Sequence, residues 1–230
     1  MRGVAEDQPG RTRAAEVVEA IRADILNARL LPGERLMFEA LKERFNVGVS
    51  PLREALTRIA GEGLVTLEEH KGFRVAPVSR ADLTDLVRLR GELEALAIRW
   101  SIENGDDRWE AGILATMHEL GKKQKITAAG EIDMAWEAIH QRFHTSLVAA
   151  CGSERALAFR QVLGDQAMRY RRLSVRYLTA PRDDLGEHRE LAQIVIERRA
   201  TEAVDLIKGH FSRTAEIILA ATEEAGGTLS

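Results

Sequence analysis

The chain has 230 residues, of which 45% are hydrophobic and 30% charged, and its formal net charge is −3. This size suits one large or two modest globular domains. No apolar stretch approaches the ~20 residues of a membrane-spanning helix, and Met1 to Arg13 contain no hydrophobic signal region. The lone Cys151 excludes an internal disulfide framework. From these observations we expect a soluble cytoplasmic protein.

The first predicted elements are three short helices. The first has apolar residues at helical spacing and is ended by the turn Leu31-Pro32-Gly33. The second spans residues 39–45. The third begins at Ser50, whose hydroxyl is expected to cap it, with Pro51 at the first helical position.

Two short strands, 65–67 and 73–75, follow the helices and form a hairpin. Three helices and a two-stranded wing are the plan of a winged helix-turn-helix, whose third helix enters the major groove of DNA. Residues up to Ala76 include 12 basic and 12 acidic side chains, so DNA binding would depend on local cations rather than net charge. The alternative is an amphipathic helix with solvated arginines. The residues expected at DNA are Arg44, Ser50, Arg53, Arg58, His70, Lys71, Gly72 and Arg74.

Residues 12–76 resemble the winged-helix domain of the GntR family of bacterial transcription regulators. The segments that carry the resemblance are Leu31-Pro32-Gly33-Glu34-Arg35-Leu36, Ser50-Pro51-Leu52-Arg53-Glu54-Ala55-Leu56, Gly63-Leu64-Val65 and Gly72-Phe73-Arg74-Val75. The resemblance implies DNA binding, with Arg53 at a position where the family contacts DNA. Val49 stands where many members have arginine, and Glu39 where some have it, so we expect an operator that differs from the family's commonest one.

The rest of the chain predicts an all-α bundle of six or seven helices, with no β pattern after Val75. Ser79 and Asp82 form a capping box at the start of a long helix that ends at Asn104-Gly105. Later helices are expected near 130–150, 154–178, 185–199 and 202–222, and Lys122–Lys125 as a solvated loop. The predicted organisation is a flexible N-terminus at 1–11, a DNA-binding domain at 12–76, a linker at 77–79, a helical effector and dimerisation domain at 80–223, and a flexible tail at 224–230.

Four of the six histidines lie among apolar residues in these later helices. His140 and His144 are four residues apart, so they point the same way from one helix. His188 and His210 follow on two later helices. Imidazoles that converge inside a bundle suit Zn, Ni, Cu or Fe. The alternatives are ordinary core histidines, or histidines that bind an effector directly.

Residues 80–222 resemble the all-helical FCD effector domain of the FadR-type branch of the same family, in which an aspartate and three histidines commonly hold a metal. The resemblance implies a metal site at His140, His144, His188 and His210, with His140 in the place of the aspartate. Without that anionic ligand the site should favour borderline metals. We expect a divalent transition metal, Zn first, with Ni, Fe or Mn as alternatives, and a positive pocket that attracts an anion.

Arg90 is the expected effector ligand, because it matches the arginine of the family's Arg-x-x-Leu-Glu element, which faces the ligand pocket. A guanidinium suits a carboxylate, which it binds through two parallel hydrogen bonds. The alternative is an internal salt bridge, for instance to Glu94. Arg169 and Tyr170 are further candidates for effector contact.

The sequence therefore predicts a metabolite-responsive transcription regulator, a homodimeric repressor that binds double-stranded DNA with two half-sites. A small organic acid that bridges the metal and Arg90 would release it. His-x-x-x-His is also the spacing of zinc hydrolases, but Gln141 occupies the position of their catalytic glutamate, so we do not expect an enzyme. The alternative is a helical metal-dependent hydrolase or lyase domain fused to a DNA-binding module.

Overall fold

The computed structural model describes residues 13–174 and 183–224. The predictions for 1–11, for the tail from 225 onward and for a helix continuing to 178 lie outside these ranges. The chain divides into two compact units, Met1–Pro77 and Val78–Ser230. Within the described ranges, no helix is long and apolar enough to cross a membrane.

The first unit is a small helical domain with a three-stranded antiparallel sheet. Its elements are α1 (Arg13–Leu26), β1 (Arg35–Leu36), α2 (Phe38–Phe45), α3 (Val49–Gly61), β2 (Val65–Glu68) and β3 (Gly72–Val75). The strand order is β1-β3-β2. The two-stranded hairpin was predicted, whereas β1 was not, because two residues are too few to show a strand period. The winged helix-turn-helix is thus present, with one strand more than expected.

The apolar face of α3 forms the centre of this unit, and its start differs from the prediction. Leu52, Leu56 and Ile59 are fully buried there. The helix begins at Val49, and its N-cap is Gly48 in an extended conformation, without a side-chain hydrogen bond. The prediction that Ser50 caps this helix was therefore wrong. Pro51 falls one turn into the helix, where its missing N–H still costs little, because the first four N–H groups have no intrahelical partner.

The second unit is an all-α bundle, as predicted, with six helices in its described part. They are α4 (Arg80–Asn104), α5 (Asp107–Leu120), α6 (Met134–Leu147), α7 (Glu154–Ser174), α8 (Asp184–Ile196) and α9 (Ala200–Glu224). The predicted cap of α4 is present, since Ser79 Oγ accepts a hydrogen bond from the Asp82 N–H. One isolated β-bridge, between Ile126 and Ile132, departs from the expectation of no β structure after Val75.

The core of the bundle lies between α4, α5, α6, α8 and α9. On α6 the buried positions are Trp136, Glu137, His140, Phe143, His144 and Leu147, which recur at three- and four-residue spacing along one face. The same face of this helix therefore carries both apolar core residues and two imidazoles. On α4, Arg90 occupies the buried stripe that Leu83 and Leu86 begin.

Candidate metal centre and ligand cavity

Four histidines from three helices meet inside the second unit. His140 and His144 come from α6, His188 from α8 and His210 from α9, and all four are buried. One potential ligand atom from each lies within 4.8 Å of the other three. The four residues predicted from the sequence are thus brought together.

Three of the imidazoles present the same atom to one point. The Nε2 atoms of His140 and His188 lie 3.1 Å apart, those of His140 and His144 3.1 Å, and those of His144 and His188 3.2 Å. A neutral imidazole carries one N–H, and a nitrogen that donates cannot also accept. Hydrogen bonds therefore cannot satisfy all three edges of this triangle, because at least two of the nitrogens must be alike, either both with a lone pair or both with an N–H.

The donor set fits a metal ion. Burial holds the pKa of His140 and that of His144 well below the ordinary value of 6.5, so both rings are neutral and can donate a lone pair. Two nitrogens bound to Zn²⁺ at 2.0–2.1 Å lie about 2.9 to 3.4 Å apart, depending on coordination geometry. The observed spacing falls in that range. The cluster could therefore hold a divalent ion with little rearrangement.

Contacts to the outer nitrogens already orient two of the rings. His188 Nδ1 lies in hydrogen-bond contact with the backbone carbonyl of Asp184, which as an acceptor requires the N–H on Nδ1 and leaves Nε2 with its lone pair. His210 Nδ1 lies 2.9 Å from Glu187 Oε2. Such partners fix the tautomer and the ring orientation of metal-binding histidines. Trp136 stacks on His140 with ring centroids 4.6 Å apart.

A cavity of about 670 Å³ opens beside the histidines, all four of which line it. Its other charged lining residues are Arg90, Lys125, Arg171 and Asp184. The remaining wall is largely apolar, with residues such as Leu83, Phe211 and Ile218. A cavity of this size and composition suits a small ligand that is held in place by a few polar groups.

Arg90 is the charged group of this cavity with no acid partner among the described residues. Its guanidinium carbon lies 3.9 Å from the centre of the Phe211 ring, and its Nε is buried without a hydrogen-bond partner. Burial lowers the pKa of Arg90 to about 9. The described contacts include no salt bridge from Arg90 to Glu94: Glu94 Oε2 accepts a hydrogen bond from Arg160 Nε at 2.8 Å, and Glu94 acts on Arg90 through its charge, which raises the pKa against the larger effect of burial.

Arg169 and Tyr170, the other predicted effector ligands, are not among the residues that line the cavity. The Tyr170 hydroxyl donates to Asp82 Oδ2 at 2.5 Å and lies near the Ser79 carbonyl. Ala167 and Arg171 line the cavity instead, because residues four apart share a face of α7. The arginine-rich helix α7 thus faces the cavity through Arg171 rather than through Arg169 or Tyr170.

Two lining cations were missed for different reasons. Arg171 donates to Glu137 Oε1 at 2.6 Å, and the rotational phase of α7 was the signal that could have found it. Lys125 was predicted in a solvated loop, but it lines the cavity and forms an ion pair with Asp184 at the start of α8. Nothing local in the sequence indicated that pairing, which joins residues 59 positions apart.

The predicted DNA-contacting cations differ in how strongly the first unit already engages them. Arg44 pairs with the buried Asp24 at 2.5 Å, and Arg74 pairs with Glu68 at 3.0 Å and donates to the Gly33 carbonyl. The other predicted cations, Arg53, Arg58 and Lys71, have no ion pair within the described part of the chain. The same holds for Arg35, which was not predicted to contact DNA. The guanidinium of the exposed Arg53 lies over the Phe38 ring, 5.5 Å from its centre.

The remaining predicted DNA residues lie at the two elements that a winged helix presents to DNA. Ser50 is exposed in the first turn of α3. His70 and Gly72 form the tip of the hairpin between β2 and β3, and both have positive φ, 58° and 86°. Glycine adopts such a conformation without strain, whereas for His70 it is an uncommon one.

A winged helix-turn-helix with cations on its recognition helix, followed by a helical unit with a ligand-sized cavity, defines the class of ligand-binding DNA-binding proteins. Residues 13–75 match the profile described as bacterial regulatory proteins, gntR family, and residues 85–213 match the FCD domain. The chain therefore belongs to the GntR family of regulators and carries an FCD domain.

Relatives of nearly full length agree with this assignment. The chain is 36% identical over 202 residues to the HTH-type transcriptional repressor GlaR of Escherichia coli (strain K12), covering 86% of this chain and 92% of that one. It is 33% identical to the uncharacterized HTH-type transcriptional regulator BphR of Paraburkholderia xenovorans (strain LB400), covering 87% and 82%. The crystal structure of a GntR-family transcriptional regulator from Pseudomonas syringae pv. tomato str. DC3000 is 25% identical, covers 96% and 91%, and has a TM-score of 0.53. The protein is a DNA-binding transcriptional regulator and not an enzyme.

Proposed function

We propose that this regulator senses a small organic acid, which binds beside a metal ion in the cavity and changes the affinity of the protein for its operator. The observation that carries the proposal is Arg90. An arginine buried without an acid partner is costly, and a carboxylate ligand would remove that cost. The guanidinium fork binds a carboxylate through two parallel hydrogen bonds.

The metal would be held by His140, His144, His188 and His210, whose imidazole nitrogens form a donor set typical of Zn²⁺. A bound ion would act as a Lewis acid that attracts one carboxylate oxygen of the effector. Zn is our first choice, with Ni or Fe as alternatives, because the four clustered ligands are imidazoles; Mn, which prefers carboxylate oxygens, fits this set less well. Arg90 would bind the second oxygen of the same carboxylate, or an oxygen elsewhere in the ligand.

The regulator is proposed to act as a homodimeric repressor on an operator with two half-sites, since two-fold symmetric proteins match two-fold symmetric DNA. The relative GlaR is named a repressor, which supports this sign. The units would correspond to a DNA-binding domain at 12–76 and an effector domain at 80–223, in the cytoplasm. Release from DNA requires that the acid bind the two states of the protein with unequal affinity.

The first test is metal analysis of tag-free protein, followed by a thermal-shift screen of mono- and dicarboxylates on the metal-loaded form. An acid present at 100 times its Kd should stabilise the protein by roughly 2.7 kcal/mol. We expect at least one acid to raise the melting temperature of the wild type and to lose this effect in Arg90→Met. Protein that contains no metal and accepts none would contradict the ligand set. A screen without any stabilising acid would contradict the sensor assignment.

A further inference from the structure

Glu137 is a buried carboxylate at the edge of the histidine cluster, outside the four clustered ligands. Its side chain lies on the buried face of α6 and is 2% exposed. Oε1 accepts hydrogen bonds from Arg171 at 2.6 Å and from Gln141 at 2.8 Å. Oε2 is buried and has no hydrogen-bond partner.

The imidazole next to Glu137 has a matching unsatisfied atom. His140 Nδ1 is also buried without a hydrogen-bond partner, and it lies 3.9 Å from Glu137 Oε1. The two residues are three apart on one helix, which places their side chains on the same face. A hydrogen bond between them requires a closure on the order of 1 Å, since N–H···O distances run to about 3.2 Å.

Metal binding makes this closure favourable. If Nε2 of His140 binds a metal, the N–H of the neutral ring must be on Nδ1, and a buried N–H without an acceptor is costly. His188 and His210 already have partners for this atom, in the Asp184 carbonyl and Glu187. Among the described acids, Glu137 is the one within ion-pair distance of His140.

We propose that Glu137 is a positioning residue for the metal site, whose carboxylate accepts a hydrogen bond from His140 Nδ1 when His140 Nε2 binds a metal. This inference rests on the proposed metal site. The four clustered ligands are all histidines, none of which can carry a negative charge, so Glu137 supplies a negative charge one contact further from the ion. Carboxylates in this position raise the basicity of the ligand and fix its ring.

Arg171 competes with His140 for the same carboxylate. It donates to Glu137 Oε1 and also lines the cavity, so its charge opposes a cation in the cluster while it draws Glu137 away from His140. Removing Arg171 should therefore strengthen metal binding, whereas removing the Glu137 charge should weaken it. A purely structural ion pair would differ in the Arg171 variant, since loss of either partner would then disturb the site and weaken metal binding.

The experiment measures Zn²⁺ affinity by competition with a chromophoric chelator, in metal-depleted wild type and four variants. Glu137→Gln should lower the affinity by about 10- to 100-fold. Glu137→Asp, which keeps the charge but shortens the reach, should also lower it. Arg171→Met should raise it. The matched control is Glu119→Gln, an exposed acid on α5 that pairs with Arg142, which should leave the affinity unchanged. Co²⁺-loaded Glu137→Gln should have a shifted visible spectrum, because its His140 ring is no longer held.

Each contrary result has a distinct meaning. A wild type that binds no metal would overturn the proposed metal site and this inference with it. A wild type that binds Zn²⁺, with Glu137→Gln within twofold of it, would overturn the inference alone. If Glu137→Asp binds Zn²⁺ as tightly as the wild type, Glu137 acts only through its negative charge, and the hydrogen bond to His140 is refuted. Weaker binding in Arg171→Met would assign the pair a structural role. If Glu137→Gln does not fold, the Arg171→Met result decides.

Discussion

Replacing Arg90 with methionine should stabilise the ligand-free protein while it abolishes the effector response. The side chain is 5% exposed, and its environment lowers the pKa from 12.5 to about 9. The pKa of Arg90 lies above neutral pH in both the folded and the unfolded chain, so the guanidinium is charged in both states. The folded state therefore bears the free-energy cost of holding this charge in a buried site. At 1.36 kcal/mol per pKa unit this difference corresponds to roughly 5 kcal/mol.

Part of that cost is already offset. The contact with the Phe211 ring returns about 2 kcal/mol at a desolvated site, and methionine fills most of the arginine volume with apolar atoms. We therefore expect Arg90→Met to raise the free energy of unfolding by about 1 to 3 kcal/mol, within the range found when buried charges are replaced by hydrophobic residues. For a chain of this length each kcal/mol moves Tm by about 2 to 4 °C.

The assay is thermal denaturation of metal-depleted protein, with urea titration as a second measure. Arg88→Met is the matched control, because Arg88 is 79% exposed and pairs with Asp85 one turn away, so this change should be neutral within about 0.5 kcal/mol. A Tm for Arg90→Met below that of the wild type would refute the reasoning. It would mean that Arg90 has an internal role that methionine cannot replace.

Three further predictions concern DNA, metal and pH. Arg53→Ala and Arg35→Ala should each weaken DNA binding and reduce the slope of log K against log salt concentration by about 1. Arg44→Ala should change this slope less, because Asp24 already forms an ion pair with the Arg44 guanidinium. Equal slopes for all three variants would refute this difference between the arginines. His188→Ala should lose both bound metal and the metal-induced rise in Tm, and retained metal would remove His188 from the ligand set. Burial lowers the pKa of His140 and of His144 well below 6.5 in the folded protein. As the pH drops below about 6.5 the unfolded chain therefore binds protons that the folded chain does not, and the free energy of unfolding should fall. A free energy of unfolding that calorimetry finds unchanged between pH 6.5 and 5 would contradict this prediction.

Several features with local signals in the sequence were predicted correctly, although the cap expected at Ser50 was not. The cap of α4 follows from Ser79 and Asp82, three residues apart, and the structure contains that hydrogen bond. His140 and His144 share a helical face because they are four apart, and their apolar neighbours indicate which way the face turns. Helical periodicity alone thus placed two of the four clustered imidazoles in the core of the bundle.

Features that depend on distant partners were not predictable in the same way. Glu94 was a reasonable partner for Arg90 one turn away, but Arg160, 66 residues further along, occupies it. Lys125 lies in the loop after α5 and lines the cavity, where it forms an ion pair with Asp184 at the start of α8. The two-residue strand β1 exists because it pairs with β3. All three features depend on contacts between segments that are distant in the sequence. The periodicity of residues within one segment carries no information about such contacts.

The most direct test of the central claim is operator affinity, measured by fluorescence anisotropy with Zn²⁺-loaded protein and DNA selected from a random pool by the same protein. Acids that raise the melting temperature in the screen are titrated into the complex. We expect such an acid to weaken DNA binding by about tenfold or more, the range of coupling found in ligand-controlled proteins, and to have no effect on Arg90→Met. An acid that stabilises the wild type yet leaves its DNA affinity unchanged would contradict the account.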